Sequence, residues 1–86
     1  MNNQELTNRE EDVMRVLWKL KKAFVKEIKS ELNEGLSYNT VSTITRNLEE
    51  KKYVGHQVYG NTHQYYPLVT QEKYQLKVLN QTADNF

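Results

Sequence analysis

Apolar residues recur at helical spacing through the first part of the chain. Between residues 7 and 20 they stand three or four positions apart, as on one buried face of a helix. They are Val13, Met14, Leu17, Trp18 and Leu20. Thr7 is followed three residues later by Glu10, a pair typical of the capping box at a helix N-terminus. A first helix is therefore predicted from about residue 8 to residue 19.

A second, shorter helical pattern follows an extended connector at residues 23–24. Its apolar positions keep the helical period, and they are Val25, Ile28 and Leu32. Gly35 lies where a residue in the left-handed conformation would end this helix. Gly35 is therefore predicted to be its C-cap.

The third helical pattern is the most regular in the chain. Ser37 is a suitable N-cap, and the helical period continues over residues 38–51. The apolar residues of this helix, Val41, Ile44 and Leu48, fall on one arc. Two helices joined by a tight turn, after a preceding helix, make a helix-turn-helix arrangement.

After the third helix the pattern changes to that of strands. Gly60 and Asn61 form a turn signal between two strand segments, and Pro67 ends the second strand because it lacks a backbone donor. A two-residue turn places His56 opposite Tyr65 and Val58 opposite His63, all on one face of the hairpin. Thr70 then begins a fourth helix as its N-cap.

These elements predict an α+β fold that is mainly α. It is a winged helix-turn-helix with three helices, a two-stranded β-hairpin wing and the start of a fourth helix at the C-terminus. The 86 residues allow one domain with a small core.

Charge and cysteine content exclude several classes of function. The 12 Lys and Arg residues against 11 Asp and Glu residues give a net charge of +1, which identifies no partner by itself. The chain has no cysteine, so it has no disulfide framework or thiolate nucleophile, and it fits a reducing compartment. No apolar run is long enough to span a membrane. A cytoplasmic protein without a membrane partner is predicted.

An enzyme active site needs reactive groups brought together, and this chain offers few of them. Its three glycines are far apart in the sequence and form no phosphate-binding loop. The only histidines, His56 and His63, are neighbours on the proposed hairpin. They could bind a metal as a pair in a sensor, but ordinary strand residues are the commoner explanation. We predict no enzyme activity, no cofactor and no metal site.

The exposed side of the third helix carries residues suited to DNA recognition. Asn39, Thr43 and Arg46 lie opposite the apolar arc, and Thr40 and Ser42 flank them. Short hydroxyl and amide side chains weaken a helix relative to Ala, so their number requires another explanation. In the major groove of DNA, Asn and Arg hydrogen-bond to base edges and a Thr methyl contacts the thymine methyl. Chance surface residues are the alternative explanation.

Contacts to the DNA backbone are predicted around this helix. The candidates lie in the second helix and at the tip of the hairpin, and they are Lys26, Tyr59, Asn61, Thr62 and His63. An alternative of another class is a winged-helix module that binds protein through the Tyr-rich hairpin and the last helix.

In its order of segments the chain resembles the penicillinase-repressor (BlaI/MecI-type) family of winged-helix transcriptional repressors. The most specific marks are EEDVMRVLW at residues 10–18, TVSTITRNLEEK at residues 40–51 and YYPLV at residues 65–69. The resemblance implies a cytoplasmic homodimer that binds an inverted-repeat operator with TACA-like half-sites and represses transcription. It also implies that the polar residues of the third helix lie on the bases or nearby phosphates.

The resemblance further implies a domain organisation. Residues 1–69 would form the winged-helix DNA-binding domain, and residues 70–86 would begin a dimerisation helix. Its expected contact residues are Tyr74, Val78 and Leu79. Family members continue into further dimer helices and a segment cut by a signalling protease. This chain is therefore expected to be the DNA-binding part of a longer protein, without the segment on which that protease partner acts.

Overall fold

The computed structural model describes the backbone of residues 6–84 and the side chains of residues 6–77. Seven elements follow one another along the chain. They are α1 (Asn8–Leu20), β1 (Ala23–Phe24), α2 (Val25–Leu32), α3 (Tyr38–Glu50), β2 (Val54–Tyr59), β3 (Thr62–Pro67) and α4 (Gln71–Asp84). The predicted helices and hairpin are all present. Within residues 6–84, no helix is both long and apolar enough to cross a membrane.

Helices α1 and α3 each begin directly after a residue that caps their N-terminus. The Thr7 hydroxyl accepts from the Glu10 backbone N–H at 3.2 Å, and Glu10 Oε1 accepts from the Thr7 N–H at 2.9 Å, which completes the capping box of α1. At α3 the Ser37 hydroxyl accepts from the Thr40 N–H at 3.1 Å. Both predicted N-caps are therefore confirmed.

The predicted end of α2 is wrong by two residues. The left-handed C-cap is Asn33, with φ 50° and ψ 39°, and its N–H donates to the Lys29 carbonyl. Asn tolerates this conformation better than most residues, so the helix ends directly after Leu32. Gly35, with φ +73°, instead allows a left-handed position within the turn that leads to α3.

The sheet has three strands, whereas the sequence predicted a two-stranded wing. Its order is β1-β3-β2, because Ala23 pairs with Tyr65 and Phe24 with Gln64. The hairpin register is confirmed, with His56 opposite Tyr65 and Val58 opposite His63. The extended connector between the first two helices therefore anchors the wing to the helical body.

The core lies between the first three helices and the root of the sheet. Its largest fully buried side chains are Met14, Leu17, Ile28, Leu48, Val13, Val41, Val54 and Thr45. The predicted inward arc of α3 needs one correction, because Thr45 is fully buried while Ile44 packs only at the edge of the core. The Thr45 hydroxyl donates to the Val41 carbonyl at 2.8 Å, so it is satisfied within the helix.

A partly buried ion pair joins the start of α1 to the end of α3. The side chain of Glu10 is 6% exposed and accepts a hydrogen bond from Lys51 Nζ at 2.7 Å through Oε1. The same oxygen accepts from the Thr7 N–H. Glu10 therefore caps one helix and holds the C-terminal end of another.

Aromatic contacts hold the start of α4 against α1. The predicted N-cap Thr70 accepts from the Lys73 N–H at 3.1 Å. The Tyr74 ring lies 5.8 Å from that of Trp18, centroid to centroid, and the Tyr74 hydroxyl donates to Glu11 at 2.5 Å. Trp18 Nε1 donates to the Val69 carbonyl at 2.8 Å. The first turns of α4 are thus part of the same packed body.

Candidate nucleic-acid interface

One face of α3 is free of the core and carries the predicted base-reading residues. Asn39, Thr43 and Arg46 are exposed, as α3 turns its opposite side into the core. Thr40 is also exposed, but its hydroxyl accepts from the Ser37 hydroxyl at 2.9 Å. Ser42 is half-buried at the edge of this face. The structure therefore places all five predicted residues of α3 at its surface, and four of them are exposed.

The wing is joined to α3 through a histidine. His56 Nδ1 lies 2.5 Å from Glu49 Oε2 near the end of α3, and the rings of His56 and His63 stack with centroids 4.2 Å apart. Among the side chains of residues 6–77, no group of three or more possible metal ligands is present. The contact with Glu49 gives His56 a structural role in placing the wing beside α3, and His63 packs on His56 within the hairpin.

The tip of the wing exposes the predicted backbone-contact residues. Tyr59, Asn61, Thr62 and His63 are all exposed. The Thr62 hydroxyl donates to the Tyr59 carbonyl at 3.1 Å, which holds the turn. This arrangement leaves the amide of Asn61 and the ring of His63 at a surface that faces the same side as α3.

An open groove of about 480 Å³ runs between the first turn of α2, α3 and the wing. It is lined by Phe24, Val25, Lys26, Glu27, Tyr38, Ser42, Asn61, Thr62, His63 and Tyr65. Five of the predicted DNA-contact residues therefore border one cleft, although they come from three separate segments. Asn39, Thr43 and Arg46 do not line it, and Tyr59 instead contacts Phe24 edge-on at 5.9 Å between ring centroids.

Tyr38 is the residue of this surface that the sequence did not single out. It is the first residue of α3, half exposed, and it lines the groove. Its place four residues before Ser42, on the same side of the helix, is a signal that was present in the sequence.

The exposed face of α3 carries one charge of each sign, because Glu50 lies four residues after Arg46 and both side chains are exposed. Arg46 is exposed, while Glu49 is engaged with His56 and Glu27 accepts from the Phe24 N–H at 2.9 Å. Burial raises the pKa of the Tyr65 phenol, the Glu49 carboxylate raises it further, and Arg46 opposes both. Tyr65 therefore remains a neutral group at the inner side of the groove.

The predicted dimerisation residues lie in α4. Tyr74 is half-buried against Trp18 within its own chain, whereas Leu76 is exposed. Val78 and Leu79 fall on the helical backbone but lie outside the described side chains. Their part in a dimer stays a prediction.

Comparison with known proteins identifies the fold independently. The solution structure of the DNA-binding domain of the repressor BlaI matches with a TM-score of 0.73 and 25% sequence identity, over 85% of this chain and 92% of that chain. HlyU from Vibrio cholerae matches with a TM-score of 0.59 and 23% identity, over 84% of this chain and 78% of that chain. The second likeness concerns the fold alone.

The sequence comparison assigns the family. No match was found among curated protein sequences. The family model described as Penicillinase repressor matches residues 6–86, which includes every element of the fold. The helix-turn-helix, the wing and this match over nearly the whole chain show that the chain belongs to the penicillinase repressor family.

Proposed function

We propose that this DNA-binding transcriptional repressor recognises a specific operator through the exposed face of α3. Family and fold are those of transcriptional regulators and not of enzymes. In the proposed complex α3 lies in the major groove, where Asn39 and Arg46 hydrogen-bond to base edges and Thr43 contacts a thymine methyl. Thr40 and Ser42 lie at the border between bases and backbone.

The observation that carries this proposal is the contrast between the two sides of α3. Val41 and Leu48 are fully buried and fix the helix in the core, while Asn39, Thr43 and Arg46 extend into solvent from the other side. Such a helix fixes the backbone positions of its hydrogen-bonding residues before binding, so only their exposed side chains have to be ordered in the complex.

The groove beside α3 supports contacts to the DNA backbone. Lys26 is exposed at the first turn of α2, and Asn61, Thr62 and His63 face it from the wing. A cation and three polar side chains around one cleft suit a run of phosphates. Tyr59, outside the groove, would reach the backbone from the other side of the wing tip. The protein-binding alternative would be favoured by an acidic or buried α3 face. This face is exposed, and the charges of Arg46 and Glu50 on it balance.

The proposed assembly is a homodimer on an inverted-repeat operator. Residues 1–69 would form the DNA-binding domain, and residues 70–86 would begin the helix that joins two copies through Val78 and Leu79, with Tyr74 anchoring it to the body. Two recognition helices in successive major grooves then read two half-sites one helical turn apart. Cleavage of a further C-terminal segment by a signalling protease would release the operator.

The test compares the preferred DNA with a scrambled duplex. A preferred sequence is first enriched from a random pool, and its affinity is then measured for the unchanged chain, Arg46→Ala and Arg15→Ala. A base-contacting Arg46 predicts a loss of roughly 1–3 kcal/mol on the preferred duplex and a smaller loss on the scrambled one. Arg15→Ala is the matched control, since it removes the same charge from the exposed surface of α1. Equal effects of the two variants on both duplexes would contradict base reading by Arg46.

A further inference from the structure

Tyr38 is exposed at a position where packing does not require an aromatic ring. It is the first residue of α3, and its side chain remains 50% exposed. The start of a helix is stabilised by its cap, here Ser37, and small or acidic residues serve well in the first turn. The ring of Tyr38 is therefore better explained by what α3 contacts than by the stability of α3.

The place of Tyr38 on the helix points toward a DNA strand rather than toward the bases. At about 100° per residue, Tyr38, Ser42 and Glu49 share one flank of α3. This flank faces the wing, because Ser42 and Tyr38 line the groove and Glu49 binds His56. The centre of a helix in the major groove faces base edges, and its flanks face the sugar–phosphate strands that border the groove.

The groove has the chemistry of a seat for a deoxyribose–phosphate strand. Its walls include the rings of Phe24, Tyr38 and Tyr65, which suit the carbon skeleton of deoxyribose. Lys26 and the polar wing residues at its rim suit the phosphates between the sugars. The groove also contains the carboxylate of Glu27, whose Oε1 accepts from the Phe24 N–H at 2.9 Å. Its negative charge remains, so the phosphates are expected beside Lys26 and the wing residues and not beside Glu27.

We infer that the groove between α3 and the wing holds one sugar–phosphate strand of the bound duplex, and that Tyr38 contacts this strand with its ring and hydroxyl. The inference rests on the proposed function, because a strand enters the groove only when α3 lies in the major groove. Sugars and phosphates are the same at every base pair. Tyr38 therefore adds affinity and fixes the depth of α3 without adding sequence preference.

The experiment measures Tyr38→Ala and Tyr38→Phe on the enriched duplex and on its scrambled counterpart. Tyr38→Ala should lower the affinity for both duplexes by about tenfold, because it removes a hydrogen bond together with the ring contacts. Tyr38→Phe should lower it by a smaller factor, because the ring remains. The slope of affinity against salt concentration should not change, since no charge is removed. Tyr66→Ala is the matched control, because Tyr66 is 37% exposed on the other face of the wing and does not line the groove.

A second measurement separates direct contact from a structural effect. Neutral methylphosphonate groups replace the phosphates of the duplex one at a time. Each replacement should weaken binding of the unchanged chain where that chain contacts the replaced phosphate. When the replaced phosphate is the one bound by the Tyr38 hydroxyl, Tyr38→Phe should cause no further loss of affinity, because the hydrogen bond is already absent. Melting temperatures of the variants verify folding, and Tyr38→Phe provides the test if Tyr38→Ala is unstable.

The outcomes distinguish this inference from the proposed function. Affinities of Tyr38→Ala equal to those of the unchanged chain would overturn the inference, and so would a loss confined to the enriched duplex, which would make Tyr38 a base reader. If no sequence is enriched from the pool, sequence-specific recognition fails, yet the strand contact is still testable on any duplex that binds. A chain that binds no duplex overturns both.

Discussion

Neutralising Glu10 tests whether the partly buried ion pair with Lys51 holds α1 and α3 together. Glu10→Gln keeps the shape of the side chain and the oxygen that accepts from the Thr7 N–H, so the capping box is preserved. It removes the charge 2.7 Å from Lys51 Nζ. The variant therefore isolates the ion pair from the cap.

The expected loss of stability depends on how far the two side chains of the pair are exposed. Breaking a fully buried pair by removing one partner costs about 3–5 kcal/mol, because the remaining charge stays buried. Here the side chain of Glu10 is 6% exposed, but that of Lys51 is 24% exposed, so the ammonium can turn partly into water. We expect the free energy of unfolding to fall by about 1–3 kcal/mol after this discount.

Urea unfolding followed by the fluorescence of Trp18 measures this change, and thermal unfolding gives a second reading. A domain of this size loses about 4–8 °C in melting temperature for each kcal/mol. Glu31→Gln is the matched control, because Glu31 pairs with Lys19 at 3.0 Å on the surface, where both side chains are well exposed, and such pairs contribute only about 0–1 kcal/mol.

The reasoning is refuted if Glu10→Gln is no more destabilising than Glu31→Gln. A double variant gives a further check, since Lys51→Met removes the charge left behind by Glu10→Gln. If the pair is the cause, Glu10→Gln should be less destabilising in the Lys51→Met background than alone. If the two changes are strictly additive, the destabilisation by Glu10→Gln does not arise from its interaction with Lys51.

Two further predictions concern buried polar groups. Thr45→Val should raise the free energy of unfolding by about 0–1 kcal/mol, because the Val41 carbonyl keeps its helical partner. Thr45→Ser should lower it by about 1 kcal/mol, because a buried methyl group is lost. Urea unfolding that gave the opposite order of stability for the two variants would contradict this prediction. Burial raises the pKa of Tyr65 above its ordinary value of 10.0, so the associated stability is present below that pH and is lost as the pH rises through the folded-state pKa. Tyr65→Phe should therefore flatten the alkaline fall in stability, and parallel curves for the two proteins between about pH 8 and pH 11 would count against this.

The parts of the fold that sequence predicted best are those encoded by short-range patterns. Thr7 and Ser37 identify the starts of α1 and α3 because a cap acts within three residues of itself. The turn at residues 60–61 fixes the whole register of the wing, since a two-residue loop leaves one pairing scheme. The polar face of α3 was predictable for the same reason, from helical geometry alone.

Features that depend on tertiary contacts were missed or misplaced. The strand at Ala23–Phe24 has only two residues, too few to show a period, and it becomes a strand only because β3 lies beside it. Asn33 competes with Gly35 for the left-handed position, and sequence preference for Gly favoured the wrong residue. The roles of Tyr38 and of the Glu10–Lys51 pair required the wing and the ends of two helices to be placed in space.

Three contacts hold α3 at different points along its length. Ser37 caps its start, Glu10 pairs with Lys51 at its end, and Glu49 binds His56 of the wing. None of these side chains belongs to the proposed base-reading face, so the orientation of the helix and the reading of bases depend on different residues. Loss of a holding contact should lower stability and weaken binding to every duplex, whereas loss of a base-reading residue should change the preference between duplexes at unchanged stability. The free energy of unfolding and the ratio of two affinities therefore separate the two groups of residues.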